Sequence, residues 1–268
     1  MSEPVIETDI DGRGVATVRL NRPHVNNAYN SDMINGLIDA LEAFQTNKNV
    51  RLVLIRGNGR HFQAGADLSW VQSARNLGWD ENLEISRTTT RAIYGLTSFP
   101  KPTIALVHGA CFGGGTGIAA ACDIVVAAED AVFSISEARW GLIATPILPQ
   151  LLSRLGPGRT RRYALTSERF SGSRAFEIGL ADEICPAEKL DETVAPIIDA
   201  LLHCPPEALA ETKAAILKYA GLCFSDLELE ALAEPHARKR MTPEAGEGLN
   251  SFLEKRKPSW YPQPDKLS

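Results

Sequence analysis

Cysteine is scarce in this 268-residue chain, with only Cys111, Cys122, Cys185, Cys204 and Cys223. They are odd in number and widely spaced, and no pair has metal-ligand spacing. No metal is expected, and reduced, packed thiols in a cytoplasmic protein are the reading. Long apolar runs are missing too. Asp123 interrupts the best candidate, so no membrane span is expected. The opening Met1-Ser2-Glu3-Pro4 lacks the basic and apolar regions of a signal peptide. Positive charge is not in surplus: 28 Lys and Arg against 33 Asp and Glu give −5. That excludes a general electrostatic footprint for nucleic acid. Arg159, Arg161 and Arg162 lie close together and read as a solvated helix face rather than a polyanion site. Internal repeats and low-complexity tracts are absent.

What is there suits one large domain, or a core with a smaller appendage. Val15 to Leu20 alternates like a strand and ends at Asn21-Arg22-Pro23-His24. Ser31 is read as the cap of a helix whose Ile34, Leu37, Ile38, Leu41 and Phe44 share a face. Leu52-Val53-Leu54-Ile55 has a buried-strand pattern and stops at Gly57-Asn58-Gly59. A helix is predicted around 84–98, and strands over 103–107, 123–128 and 132–135. Alternating strands and helices predict an α/β core with substantial parallel pairing. Strand signals fade after about Ala187. Pro205-Pro206 opens a helix, and Thr242-Pro243 opens another that Pro258 is expected to stop. The division expected is a core over 1–205 and a helical region over 206–268.

Three segments carry chemistry. They are His61-Phe62-Gln63-Ala64-Gly65-Ala66-Asp67-Leu68, then Phe112-Gly113-Gly114-Gly115-Thr116-Gly117, then Ser136-Glu137. Two put flexible backbone at strand ends, and the third adds a carboxylate. Together they suggest two peptide N–H donors and a general acid/base around one substrate carbonyl. Other readings exist for each part. The glycines suit a tight turn, and Gly115 to Ala120 fits a loose dinucleotide fingerprint, which leaves the first segment unexplained. Asp67 can cap the following helix rather than touch ligand. Arg139 can meet a substrate carboxylate or form a structural ion pair. Asp123 reads as a turn or network residue, and His108 as a structural hydrogen-bonder. No serine has a triad context.

These segments, in order and spacing, resemble the enoyl-CoA hydratase/isomerase (crotonase) superfamily. The resemblance implies a crotonase-like spiral core of repeated β-β-α units with a helical C-terminal region. It implies that Ala66 and Gly114 are the oxyanion-hole donors and Glu137 the catalytic glutamate. Ala64, Ala66, Asp67 and Leu68 correspond to the segment that follows the acyl-CoA ligand, with Gly114 and Gly117 also at the substrate. No cofactor is implied, because CoA is part of the substrate. Homotrimers or dimers of trimers are the implied assembly.

One departure matters. Gly117 stands where many two-glutamate hydratases carry a second glutamate, so the two-glutamate mechanism does not transfer. Glu137 alone is expected either to activate water and return a proton, or to move a proton between substrate carbons. Gly117 is predicted to leave space near the reacting carbon. Gly59-Arg60-His61-Phe62, Ala64 to Trp70, and Ser136-Glu137-Ala138-Arg139 with Gly141-Leu142 are similar to bacterial branched glutaconyl-CoA hydratases. That group includes methylglutaconyl-CoA and isohexenylglutaconyl-CoA hydratases, which implies leucine or acyclic terpene catabolism. Hydration of 3-isohexenylglutaconyl-CoA is the preferred expectation. The alternatives are methylglutaconyl-CoA hydration, enoyl-CoA isomerisation, and a catalytically weak acyl-CoA or RNA-binding protein.

Overall fold

The computed structural model describes residues 3–262. The leader reading at Met1-Ser2 and the last six residues of the 206–268 region lie outside the described residues. Among the described residues, nine strands form two sheets. The larger runs β1 (Ile6–Ile10), β2 (Val15–Leu20), β3 (Leu52–Gly57), β4 (Thr103–Val107), β6 (Ile124–Ala128), β9 (Glu183–Cys185). Within this sheet, among the described residues, only the β1–β2 pair is antiparallel. Register aligns Val18, Ile55, Ala105 and Val125 in one row. All four are fully buried. These strands read as continuous apolar runs because both sheet faces are covered. Leu54, Ile104 and Val126 pack on the other face, against Leu190, Val194 and Ile198 of α7 (Leu190–His203).

The smaller sheet holds β5 (Ala110–Phe112), β7 (Val132–Ser134) and β8 (Phe170–Ser171). Isolated bridges Gln63↔Cys111 and Tyr29↔Ala66 extend the same path. Three times the chain crosses the large sheet, turns through the second layer and enters a helix. Thus β3 leads past Gln63 to α2 (Leu68–Ala74) and α3 (Trp79–Thr97), and β4–β5 leads to α4 (Gly114–Ala121). Next, β6–β7 leads to α5 (Leu148–Thr166). This is the expected spiral of β-β-α units, and every turn delivers a loop to the same edge.

α1 (Ser31–Thr46) corrects one expectation. Asn30, not Ser31, is its cap, accepting from the Met33 N–H at 3.1 Å. After the short α6 (Gly172–Glu177) come α8 (Pro206–Tyr219), α9 (Asp226–Arg240) and α10 (Pro243–Leu253). α10 ends at Leu253, ahead of Pro258, with Glu254 as its cap. α9 lies along α3, and α10 packs on α2. Ala245 and Leu249 of α10 are fully buried beside Val71 and Leu142. By contrast, α8 buries no residue.

Candidate active site

Two loops meet where the small sheet ends. In the first, Gly65 adopts φ +94°, a conformation glycine tolerates without strain. Tyr29 N–H donates to Gly65 O and Asp67 N–H to Tyr29 O, both at 2.9 Å. Ala66 N–H lies between them and has no acceptor among the described residues. In the second loop, Gly113 turns the chain at φ +51° into α4. Its N–H donates to Ser134 O at 2.8 Å, and Gly117 N–H donates to Gly113 O at 3.1 Å. Gly114 N–H, in the first helical turn, is free among the described residues. A free first-turn N–H and the positive helix end both favour an anion.

Close packing explains the glycines. A Cβ on Gly114 would lie 2.5 Å from Tyr29 Cε1, and one on Gly115 would lie 2.5 Å from Gln63 Oε1. Buried Gln63 clamps the loops. Its backbone bonds Ala110 and Phe112, and its Oε1 accepts from Gly65 N–H at 2.8 Å.

Glu137 opens a 3₁₀ turn, Glu137–Trp140, just after β7. Its carboxylate faces the second loop: a Cβ on Gly113 would lie 2.9 Å from Glu137 Oε1. Glu137 Oε2 is buried without a hydrogen-bond partner. Burial pushes this carboxyl up to about 7, against the lowering effect of the Glu137 and Ser136 backbone N–H groups. A carboxyl poised there can accept and return a proton near neutrality.

Two cavities that share lining residues converge on this group. A cleft of about 540 Å³ is lined by Ala64, Ala66, Asp67, Leu68, Gly113 and Glu137 among others. A narrower, mainly apolar pocket is lined by Gly114, Glu137, Met33, Ile93, Ile118 and Ile147 among others. Tyr29, Thr89, Glu137 and His236 border both. Gly117 is set back from both cavities. A Cβ there would overlap Ile147 Cγ2, so the missing side chain makes room for Ile147. The expected space beside the reacting carbon is therefore filled by Ile147, and Gly117 acts on the apolar pocket indirectly. Asp67 caps α2, accepting from Ser69 and Trp70 N–H, and pairs with Arg22 at 3.1 Å while its residue borders the cleft. Arg139 is exposed at the cleft and forms no ion pair among the described residues. Asp123 joins Thr103 and Lys213 in a network, and His108 Nε2 bonds Gly59 O.

Sequence reasoning missed Tyr29, Thr89, His236 and Arg240. The last two stand on α9, beyond the 1–205 core, yet border the cleft. Nothing in Glu234-Pro235-His236-Ala237-Arg238-Lys239-Arg240 singles them out, because the segment looks like an ordinary solvated helix end. Among the described residues, no cluster of three or more His, Cys, Asp or Glu has metal-site geometry. No helix among them is long and apolar enough to cross a membrane.

The enoyl-CoA hydratase/isomerase family model matches residues 11–263. A crystal structure of an enoyl-CoA hydratase from Shewanella pealeana is 37% identical, with TM-score 0.78 and 96% of each chain covered. One from Mycobacterium avium is 32% identical, with TM-score 0.85, covering 97% of this chain and all of that one. A peroxisomal Delta(3,5)-Delta(2,4)-dienoyl-CoA isomerase of Arabidopsis thaliana is 30% identical, over 89% of this chain and 90% of its own.

Proposed function

Because this chain belongs to the enoyl-CoA hydratase/isomerase family, we propose that it hydrates a branched 2-enoyl-CoA, with 3-isohexenylglutaconyl-CoA as the preferred substrate. The single observation carrying the hydratase reading is the unpartnered Glu137 Oε2 beside two free peptide N–H groups. The thioester oxygen sits between Ala66 and Gly114 N–H. As water adds to the conjugated double bond, these donors stabilise the developing enolate, each worth about 3–4 kcal/mol in the transition state. Glu137 takes a proton from the attacking water and returns it to the α-carbon, giving syn addition. The product is 3-hydroxy-3-isohexenylglutaryl-CoA. The apolar pocket bordering Glu137 supports an alkyl branch at the hydrated carbon. CoA belongs to the substrate, so no separate cofactor takes part.

Isomerisation is the second reading. One carboxylate suffices to move a proton between carbons, and the Arabidopsis relative carries an isomerase name. A homotrimer or a dimer of trimers in the cytoplasm completes the proposal. The bare α8 surface, with Ile216 62% and Tyr219 86% exposed, supports assembly through that helix. Rates of water addition to isohexenylglutaconyl-CoA and methylglutaconyl-CoA test reaction and substrate together. Faster hydration of the isohexenyl thioester is expected. Equal or reversed rates would remove the substrate preference, and double-bond migration without water addition would favour isomerisation.

A further inference from the structure

Arg240 ends α9 and is only 2% exposed, yet it borders the cleft. Its Nη1 donates to Asn82 Oδ1 at 3.1 Å and to Asn82 O at 3.4 Å. Its Nη2 donates to Ser86 Oγ at 2.9 Å and to His236 Nδ1 at 3.1 Å. Every one of these partners is neutral. No carboxylate pairs with Arg240 among the described residues. The neighbouring Arg75 guanidinium donates to Arg240 O at 2.9 Å and adds a second cation without an acid. A buried cation without a counterion is costly, and neutral acceptors offset only part of that cost.

The donors around it face the cavity. Arg240 occupies His236 Nδ1 as an acceptor, which assigns the proton to Nε2. Burial and the Arg240 charge keep that ring neutral, its pKa pushed well below the ordinary value. Among the described residues, neither His236 Nε2 nor the Tyr29 hydroxyl has a hydrogen-bond partner. Both residues border the two cavities. Asn82 and Ser86, fully buried on α3, hold the guanidinium in place. The corner thus combines a fixed positive charge and two unused donors on the wall of the cleft.

We propose that Arg240, His236 and Tyr29 form a subsite for a carboxylate on the acyl group, so that this chain selects CoA thioesters of dicarboxylic acids. The inference rests on the branched-enoyl reading for the placement of the acyl group. It assigns the two arms of the branch. The alkyl arm enters the apolar pocket lined by Ile93, Ile118 and Ile147, and the acidic arm turns to Arg240 on α9. His236 Nε2–H and Tyr29 O–H donate to the carboxylate oxygens, and the guanidinium supplies the charge.

Binding to the Glu137→Gln protein tests this without turnover. The probes are glutaconyl-CoA and its analogue with a terminal primary amide, compared by calorimetry. The carboxylate is expected to bind about 10–100-fold tighter than the amide, the range for hydrogen bonds to a charged group. Added Arg240→Met should bring the two to near parity. His236→Phe, which leaves the guanidinium in place, should narrow the gap in part and serves if Arg240→Met fails to fold. Equal binding of the two probes by Glu137→Gln alone would overturn the proposal. So would an unchanged ratio in a folded Arg240→Met or, failing that, His236→Phe protein. If branched glutaconyl thioesters take up no water but the ratio holds, the reaction reading fails and the subsite stands. Hydration with no discrimination sinks the subsite alone.

Discussion

At the residue scale, the proposed reaction assigns its proton transfers to Glu137, whose environment sets the pH at which it ionises. The ionised form starts the proposed reaction, and burial holds the carboxyl at about 7. kcat/KM for hydration is therefore expected to rise with pH through about 7 and then level. A profile flat from pH 5 to pH 9, taken as round limits about two units either side of that value, would contradict the assignment. Glu137→Gln should lower turnover by about a hundredfold or more while leaving acyl-CoA binding largely intact. The same shift acts on stability. An exposed glutamate titrates near 4.5, so between 4.5 and about 7 only the unfolded chain is ionised. Folding stability attributable to this group is full below 4.5 and falls through that window, by up to about 3 kcal/mol. The melting temperature of Glu137→Gln should gain on the parent over the same range, and a constant difference from pH 4 to pH 8 (roughly the window and its margins) would argue against the shift. Glu137 was legible because it follows two glycine loops at a recognisable spacing. His236 and Arg240 were not, since their significance comes from α9 lying along α3, a contact between segments far apart in the chain.

At the scale of elements, the packing of α4 against the 3₁₀ turn Thr145–Ile147 governs the apolar pocket. Gly117→Ala would drive a methyl into Ile147 and destabilise by about 1–3 kcal/mol, as overpacking does. Ile147 would be displaced toward the pocket, so activity with the isohexenyl thioester should fall more than with the methyl one. Adding Ile147→Ala should restore both stability and the substrate ratio, a coupling that a double-mutant cycle measures. Independent, additive losses would count against this packing. The interior strands were readable as apolar runs because both faces are covered. β1 escaped notice because Glu7, Thr8 and Asp9 belong to a half-exposed edge strand. α5 was hidden by Gly156-Pro157-Gly158, where the helix kinks at Gly156. α9 escaped because its apolar residues follow no single face.

At the scale of the whole molecule, α9 and α10 line the cleft, and α8, which buries no residue, is the surface to which the proposed assembly is assigned. Ile216→Asp combined with Tyr219→Ser should reduce the assembled mass seen by light scattering without changing the helical signal in circular dichroism. A parent protein that stays monomeric across a wide concentration range would remove this role for α8. The most direct measurement of function is the mass of the product formed from 3-isohexenylglutaconyl-CoA in water enriched in heavy oxygen. Hydration with Glu137 as the acid/base gives a product heavier by one water, with the label in its new hydroxyl, and Glu137→Gln loses that product by about a hundredfold or more. A product of unchanged mass, or equal labelling by a folded Glu137→Gln protein, would contradict it.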